Sequence, residues 1–541
     1  AITSEKAQVI MGKNDLLRYL SKLNSMKEAR YNNDSYWQEV ADYTLPKRDF
    51  TTERSAAQKR MINIYDSTAI HATEQLAAGL HGMLTPPSSK WFFLTASNIP
   101  ESDNGRAWLD MASKYLGSVF SSPESSFATS VYELYLDIVA FGNAAMAVFY
   151  SNSRINFLTK QLRSCYIEEN DDGFVDTLYI CEKMTPSNMI RKFGIDKVDE
   201  KVVKAYDANQ AIKFEVLHAI EPRKMNKGRG AAKELKPFSS CFIDVENKKV
   251  MMEEGFDDFP FLFPRWSKRS GETYGYGAGM VALAEVKELN KIGEIMTRAA
   301  SKNIDPPVLA PAEGLILPMR LDPAGINFYN PDLGKPEFWQ NGFQPNYFEN
   351  VMEYKRGLIN KMYFVDWMNL PEVDRMTTVE VMQRSQEAQR IMSPMLSRLH
   401  SEFLSPLIKR TLMLALDNGL LPRPPVELQG MDVSIEYTSP MSIAQRANSS
   451  QAVLQGLTVM AQLAQFDPAV AKRINADAIG KDQMLNTYAW PIAYIRTDEQ
   501  VEEMNQAEAE QQNAMVQAQQ AETLSKSAGN VAGAYKDLQG V

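Results

Sequence analysis

Cysteine and histidine, the residues that most often build metal and redox centres, are scarce: the 541-residue chain has 3 cysteines and 4 histidines. Cys165, Cys181 and Cys241 are too scattered for a disulfide framework or a thiolate cage, which fits a reducing compartment. His71, His81, His218 and His400 stand far apart without H-E-x-x-H spacing, so no structural metal and no cofactor is expected. Long apolar runs are missing too. The longest candidate, Ile138 to Tyr150, falls short of a span of about 18 residues and is broken by Gly142 and Asn143, and no charged-then-apolar leader is read, so no membrane contact is expected. Positive charge is in deficit. Fifty-eight Lys and Arg against 67 Asp and Glu leave a net charge of -9, which sets the surface as a whole against tight binding of DNA or anionic membranes.

Catalytic motifs are equally thin. The pairs Gly12-Lys13, Gly334-Lys335 and Gly480-Lys481 are followed by Asn, Pro and Asp, not by the Ser or Thr of a phosphate loop. Gly275-Tyr-Gly277-Ala-Gly279 lacks the spacing of a dinucleotide fingerprint and reads as the approach to a helix. The run Glu168 to Gly173 lacks the alternate ligands of a calcium loop and reads as a turn between strands. No G-x-S-x-G elbow occurs. These results favour a structural or mechanical protein over an enzyme.

What is present is a foldable chain, 44% apolar, 23% charged and 10% aromatic, whose length implies three or four units at about 150 residues each. Its 28 methionines read mainly as core filling. Helical spacing runs through residues 5–45 on Leu16, Leu20, Leu23 and Met26 until Pro46, and through 67–84 on Ile70, Leu76, Leu80 and Met83 until Pro86. Residues 104–120 and 127–142 repeat it. The period then changes to strands at 145–150, 174–182, 214–220 and 240–245, with a turn at Asn247. The fold class is therefore α+β, predominantly helical.

A long helix follows over 276–303, roughly 40 Å at 1.5 Å per residue, ended by Pro306-Pro307. A proline-rich insert separates it from a second helix that starts after Pro345 and reaches Tyr363. Residues 364–376, FVDWMNLPEVDRM, read as a loop. Thr377 and Glu380 form a capping box before a helix to about Leu416, kinked at Pro394 and Pro406 and stopped by Gly419. A strand at 433–438 and further helices to about 490 come next. From Thr497 the chain is rich in Glu, Gln and Ala, the composition of a solvated helix, a helix that bundles between copies, or a tail.

Four segments resemble the portal, or head-to-tail connector, of T7-like short-tailed bacteriophages: SYWQEVADYTLPKRDF at 35–50, IYDSTAIHATEQLAAGLHGMLTPPSSKWFFL at 64–94, ETYGYGAGMVALAEVKELN at 272–290, and TTVEVMQRSQEAQRIMSPMLSRLHSEFLSPLIKR at 377–410 with EYTSPMSIAQRA at 436–447. The resemblance covers nearly the whole chain, and the order helix, insert, helix, loop, kinked helix matches too. It implies a dodecameric ring at one capsid vertex, with a wing at 1–275, stem helices at 276–304 and 345–363, a clip at 305–344, a tunnel loop at 364–377, a long kinked helix and crown at 378–496, and a crown or barrel helix or tail at 497–541. The implied partners are other copies of the chain, double-stranded DNA passing without sequence specificity, the terminase large subunit, tail adaptors, major capsid and scaffolding proteins, and internal core proteins. The implied location is the virion, after synthesis in the host cytoplasm.

On that mapping Asp366, Trp367, Met368, Asn369, Leu370, Glu372, Asp374 and Arg375 would face the channel. Trp367 and Met368 could equally pack the loop onto the long helix. Lys287, Lys291, Arg298, Lys302, Lys355 and Arg356 on the stem would neutralise neighbours or touch the DNA backbone, and Leu283, Val286 and Leu289 would pack between subunits or between the stem helices. A packaging nuclease would need clustered acidic ligands or a phosphate loop. A head-tail adaptor or internal core protein would also form rings, with a different order of elements.

Overall fold

The computed structural model describes residues 13–46, 48–51, 64–87, 89–96, 103–223, 228, 232–304, 307–309, 326, 328–338, 345–368, 390–428, 433–437, 456–462, 479–480, 496, 501, 503–518 and 520–521. Helices run as α1 (Lys13–Thr44), α2 (Thr68–Leu84), α3 (Asp103–Ser121), α4 (Phe127–Phe141), α5 (Pro186–Phe193), α6 (Glu200–Asp207), α7 (Ala278–Ile304), α8 (Pro345–Met362), α9 (Val365–Met368) and α10 (390–417). Strands are β1 (Phe92–Ala96), β2 (Ala145–Ser151), β3 (Arg154–Lys160), β4 (Cys165–Glu169), β5 (Val175–Met184), β6 (Phe214–Pro222), β7 (Phe238–Asp244), β8 (Lys249–Phe256), β9 (Phe261–Leu262), β10 (Val308–Leu309), β11 (Glu337–Phe338) and β12 (Val433–Tyr437). Helix and strand mix as the α+β reading requires. The three or four units implied by length contract to two, Ala1–Ser88 with Val119–Asp417 and Ser89–Ser118 with Asn418–Val541.

In the larger unit, β4 to β8 form an antiparallel meander in sequence order, and β2 pairs with β3 and β9 in a smaller sheet. The meander is covered on both faces because its strands alternate between two apolar sets. Tyr179, Leu217, Ala219, Cys241 and Ile243 meet Tyr19, Leu23 and Met26 of α1. Phe214, Val216, Phe242 and Met251 meet Met189 and Phe193 of α5 and Val202 and Ala205 of α6. A third cluster joins Trp37, Val40 and Ala41 of α1 to Ala140 and Phe141 of α4 and to Met280 and Leu283 of α7. Arg30, 1% exposed, ties α1 to the sheet by donating to the carbonyls of Leu162 (3.2 Å), Arg163 (2.6 Å) and Cys165 while lying 3.7 Å over the Tyr166 ring. Burial pushes the thiols of Cys165, Cys181 and Cys241 up to about 12, so all three stay protonated.

Three expectations are corrected. The helix expected to kink at Pro394 runs through it without interruption from 390 to 399. The irregularity is a single π turn at His400–Leu404, where the Ser405 N–H donates to the His400 carbonyl, five residues back. Pro406, two residues past this turn, has no N–H, and its ring would collide with the Glu402 carbonyl in a regular α-helix, so the wider turn relieves the clash. The segment taken wholly as a loop after Phe364 begins with the helical turn α9, and Phe364 itself is in the left-handed region (φ 58). Strands β1, β3 and β4 and the short helices α5 and α6 were not marked in the sequence reading.

The smaller unit pairs β1 with β12, Leu94 opposite Ile435. The Leu94 N–H donates to Ser113 Oγ (3.0 Å) and Trp108 Nε1 to the Pro422 carbonyl (3.0 Å), which seats α3. Residues 503–518 are helical and exposed throughout. Among the described residues no helix is long and apolar enough to cross a membrane.

Candidate functional site

The glycine-rich run before α7 is a close-packed backbone junction. A Cβ at Gly277 would lie 2.5 Å from the Gly142 nitrogen and 2.6 Å from the Val139 carbonyl, and one at Gly142, where φ is +72, would lie 2.2 Å from the Tyr276 backbone. Only glycine fits at either place. Asn143, fully buried, completes the junction by accepting from the Gly275 N–H (2.7 Å) and donating to the Gly275 carbonyl (2.9 Å). The end of α4 and the start of α7 are thereby joined with no side chain between them.

From that junction α7 runs beside α8, with Lys355 bridging the two helices and other ion pairs running within α7 or out to its neighbours. Lys355 Nζ donates to Glu285 (2.6 Å) and Glu288 (2.7 Å), and these hydrogen bonds raise its pKa. Arg356 holds Asp66 through Nε (3.0 Å) and Nη2 (2.8 Å). Burial opposes ionisation of Asp66, but hydrogen bonds from Thr68 and the Arg356 guanidinium outweigh it and hold the carboxyl below its ordinary range. Lys287 bonds Glu39 of α1. Lys291 (2.9 Å) and Arg298 (2.6 Å) both reach Glu294. Of the six stem cations singled out in the sequence, only Lys302 has no ion pair among the described residues.

The other nominated residues divide in two. Leu283, Val286 and Leu289 are buried within the single chain, Leu283 in the α1–α4–α7 cluster, without need of a second copy. In the proposed channel segment, Asp366 is exposed on α9 and Val365 beside it is buried. The side chains of Trp367 and Met368, and all of Asn369, Leu370, Glu372, Asp374, Arg375 and the Thr377–Glu380 capping box, lie outside the described residues.

One centre escaped the sequence reading. Arg265, 0% exposed, directs its side chain at the π turn: Nε donates to Glu402 Oε2 (3.0 Å) and Nη2 to Glu402 Oε1 (2.8 Å), and its backbone N–H also reaches Oε2 (3.0 Å). The same guanidinium bonds Glu169 and the carbonyls of Thr273 (3.0 Å) and Gly173 (2.9 Å), binding α10, the β4–β5 turn and the approach to α7 into one network. Lys268 joins through Glu169 and Arg398 through Glu402 (2.9 Å). Burial, and then the neighbouring cations Arg265 and Arg398, lower the Lys268 pKa. The available signal was Glu402, a carboxylate amid the apolar positions Leu399, Phe403 and Leu404, four residues before a proline. Among the described residues no group of three or more His, Cys, Asp or Glu side chains could hold a metal.

The long helices thus form a hairpin rooted in a backbone junction and tied by ion pairs to its neighbours. The family of bacteriophage head-to-tail connecting proteins matches residues 17–490, and the chain belongs to that family. It is similar along its length to the portal protein of Salmonella phage epsilon15, with 30% identity covering 95% of this chain and 96% of that protein. A probable portal protein of Bordetella phage BPP-1 is 28% identical over 95% of this chain and 94% of its own length.

Proposed function

We propose that the chain is the subunit of a phage portal, a ring at one capsid vertex through which DNA enters during packaging and leaves during ejection, and to which the tail attaches. The observation that carries this reading is the colinearity, over 95% of the chain, with a portal protein. The ring is dodecameric, with residues 1–275 and 378–496 as wing and crown, α7 and α8 as the stem, 305–344 as the clip and 364–377 as the tunnel loop. Terminase, tail adaptors, capsid, scaffolding and core proteins are its partners, and no chemistry of its own is assigned to it.

The charge distribution supports a conduit. Each phosphate that a protein neutralises adds a salt-dependent affinity term, which in a pore acts as friction. Here five of the six stem cations are occupied by carboxylates of the same chain, which leaves little fixed positive charge to hold a polyanion. Asp366, with Glu372 and Asp374, faces the passage in this reading and repels phosphate. The test is a charge reversal, Asp366→Lys with Asp374→Lys. Rings should form with the parental mass while packaged DNA per particle falls severalfold; parental packaging would remove these residues from the channel. A class average down the particle axis that shows no central hole would overturn the ring itself.

A further inference from the structure

A row of five charged side chains runs past the π turn of α10. In order they are Lys268, Glu169, Arg265, Glu402 and Arg398, each touching the next: Lys268 Nζ lies 2.6 Å from Glu169, Arg265 bonds both carboxylates, and Arg398 Nη1 donates to Glu402 (2.9 Å). The signs alternate, so the row begins and ends on a cation. Three positive charges meet two negative ones, and one positive charge is left over.

Where that surplus sits decides what it does. The middle of the row is enclosed and paired, with the Arg265 and Glu402 side chains 0% and 7% exposed. The two ends open to solvent, Lys268 with 16% of its side chain exposed and Arg398 with 34%. Enclosed charge in excess of its partners is costly and favours a counter-ion. Burial, and then the charges of Arg265 and Arg398, hold the Lys268 ammonium below its ordinary range even with Glu169 in contact, so the two ends act as one electrostatic unit. The other charges on the β4–β5 turn and on the approach to α7 do not cancel the surplus from within. Glu168 holds Lys22 (2.7 Å) and Arg269 lies 4.7 Å over the Tyr276 ring. Asp171, Asp172 and Glu272 are exposed, where water and salt screen them.

We propose that Lys268 and Arg398 together bind a phosphate group. Arg398 uses Nη1 on Glu402 and makes no other hydrogen bond among the described residues, so the edge formed by Nε and Nη2 keeps a planar two-donor fork that matches two phosphate oxygens. Lys268 supplies a point charge for a further oxygen. A carboxylate has two oxygens, which the fork alone takes up, whereas a phosphate serves both ends of the row. The single negative charge of a phosphodiester equals the surplus. The group comes either from a free phosphate ion or from the backbone of duplex DNA, and in both cases it neutralises the row that pins Glu402 and with it the π turn. The inference concerns the single chain and adds a ligand site that the portal reading does not require.

The test is isothermal titration calorimetry on the full chain at about 50 mM salt, with inorganic phosphate and a short duplex titrated separately. One phosphate should bind per chain, saturably, and chloride at equal ionic strength should not replace it. Arg398→Gln and Lys268→Gln should each weaken binding about tenfold. Lys204→Gln, which removes an exposed cation of α6, should leave it unchanged. If Arg398→Gln does not fold, Arg398→Lys keeps the charge without the fork and should fold and bind several-fold more weakly than the parent. Saturation by phosphate assigns the free ion, and saturation by the duplex alone, lost in the same variants, assigns the DNA backbone. No saturable binding of either, equal competition by chloride, or binding that survives both glutamine substitutions would overturn the site.

Discussion

At the scale of single residues, Arg265 ties together three separate parts of the larger unit. Its carboxylate partners stand 96 and 137 residues away in sequence, so no local pattern marks it. Glu402→Ala removes a buried partner and leaves the guanidinium with Glu169 as its carboxylate, which should cost about 2–3 kcal/mol of stability, seen as a lowered urea midpoint. A second residue-scale effect comes from His218, stacked 3.9 Å from Phe242 and bonded to Ser240 (2.9 Å). Burial, then Lys192 and Lys160, lower its pKa well below 6.5. Below that pH the unfolded histidine binds a proton that the folded one refuses, so acidification favours unfolding. Asp137 acts in the opposite sense, since burial raises its carboxyl to about 6 despite Arg48, and the folded state takes up its proton first. Comparing His218→Phe with the parent isolates the histidine: between pH 7 and 5 the variant should lose about 2 kcal/mol less stability in urea titrations.

At the scale of elements, the long helices were legible because each carries its own period and its own stop. The reading of 67–84 meets Thr68–Leu84, and that of 276–303 meets Ala278–Ile304. Strands β3 and β4 were missed because Arg154–Lys160 and Cys165–Glu169 carry charged residues and no sustained apolar run, and pairing with β2 and β5 fixes them. The π turn was not foreseen, because a proline marks where a helix is stressed, not how it yields. The glycines separate by the same test of surroundings. Gly277→Ala would drive a methyl group into backbone and should destabilise by more than about 3 kcal/mol, whereas Gly82→Ala, with nothing within 4 Å in the last turn of α2, should stabilise by about 0.5 kcal/mol, both readable as melting shifts.

At the scale of the whole molecule, sequence carried the family through four separated segments in order, and it carried little about the channel or the subunit contacts. A surface made between copies leaves only half its residues in any one neighbourhood. The conduit reading makes a prediction of its own: assembled protein should hold linear duplex DNA weakly, with anisotropy titrations between 50 and 200 mM salt giving a slope below about two phosphates' worth, and a steep slope would contradict free passage. The junction of Gly142, Asn143 and Gly277 bears on the same scale. When identical parts are set round a circle, an angular misfit in each one recurs with the same sign at every step, and the circle opens into a spiral. Main chain set directly against main chain has no rotamers through which to drift, so the bearing of α7 is fixed where the tolerance for error is smallest.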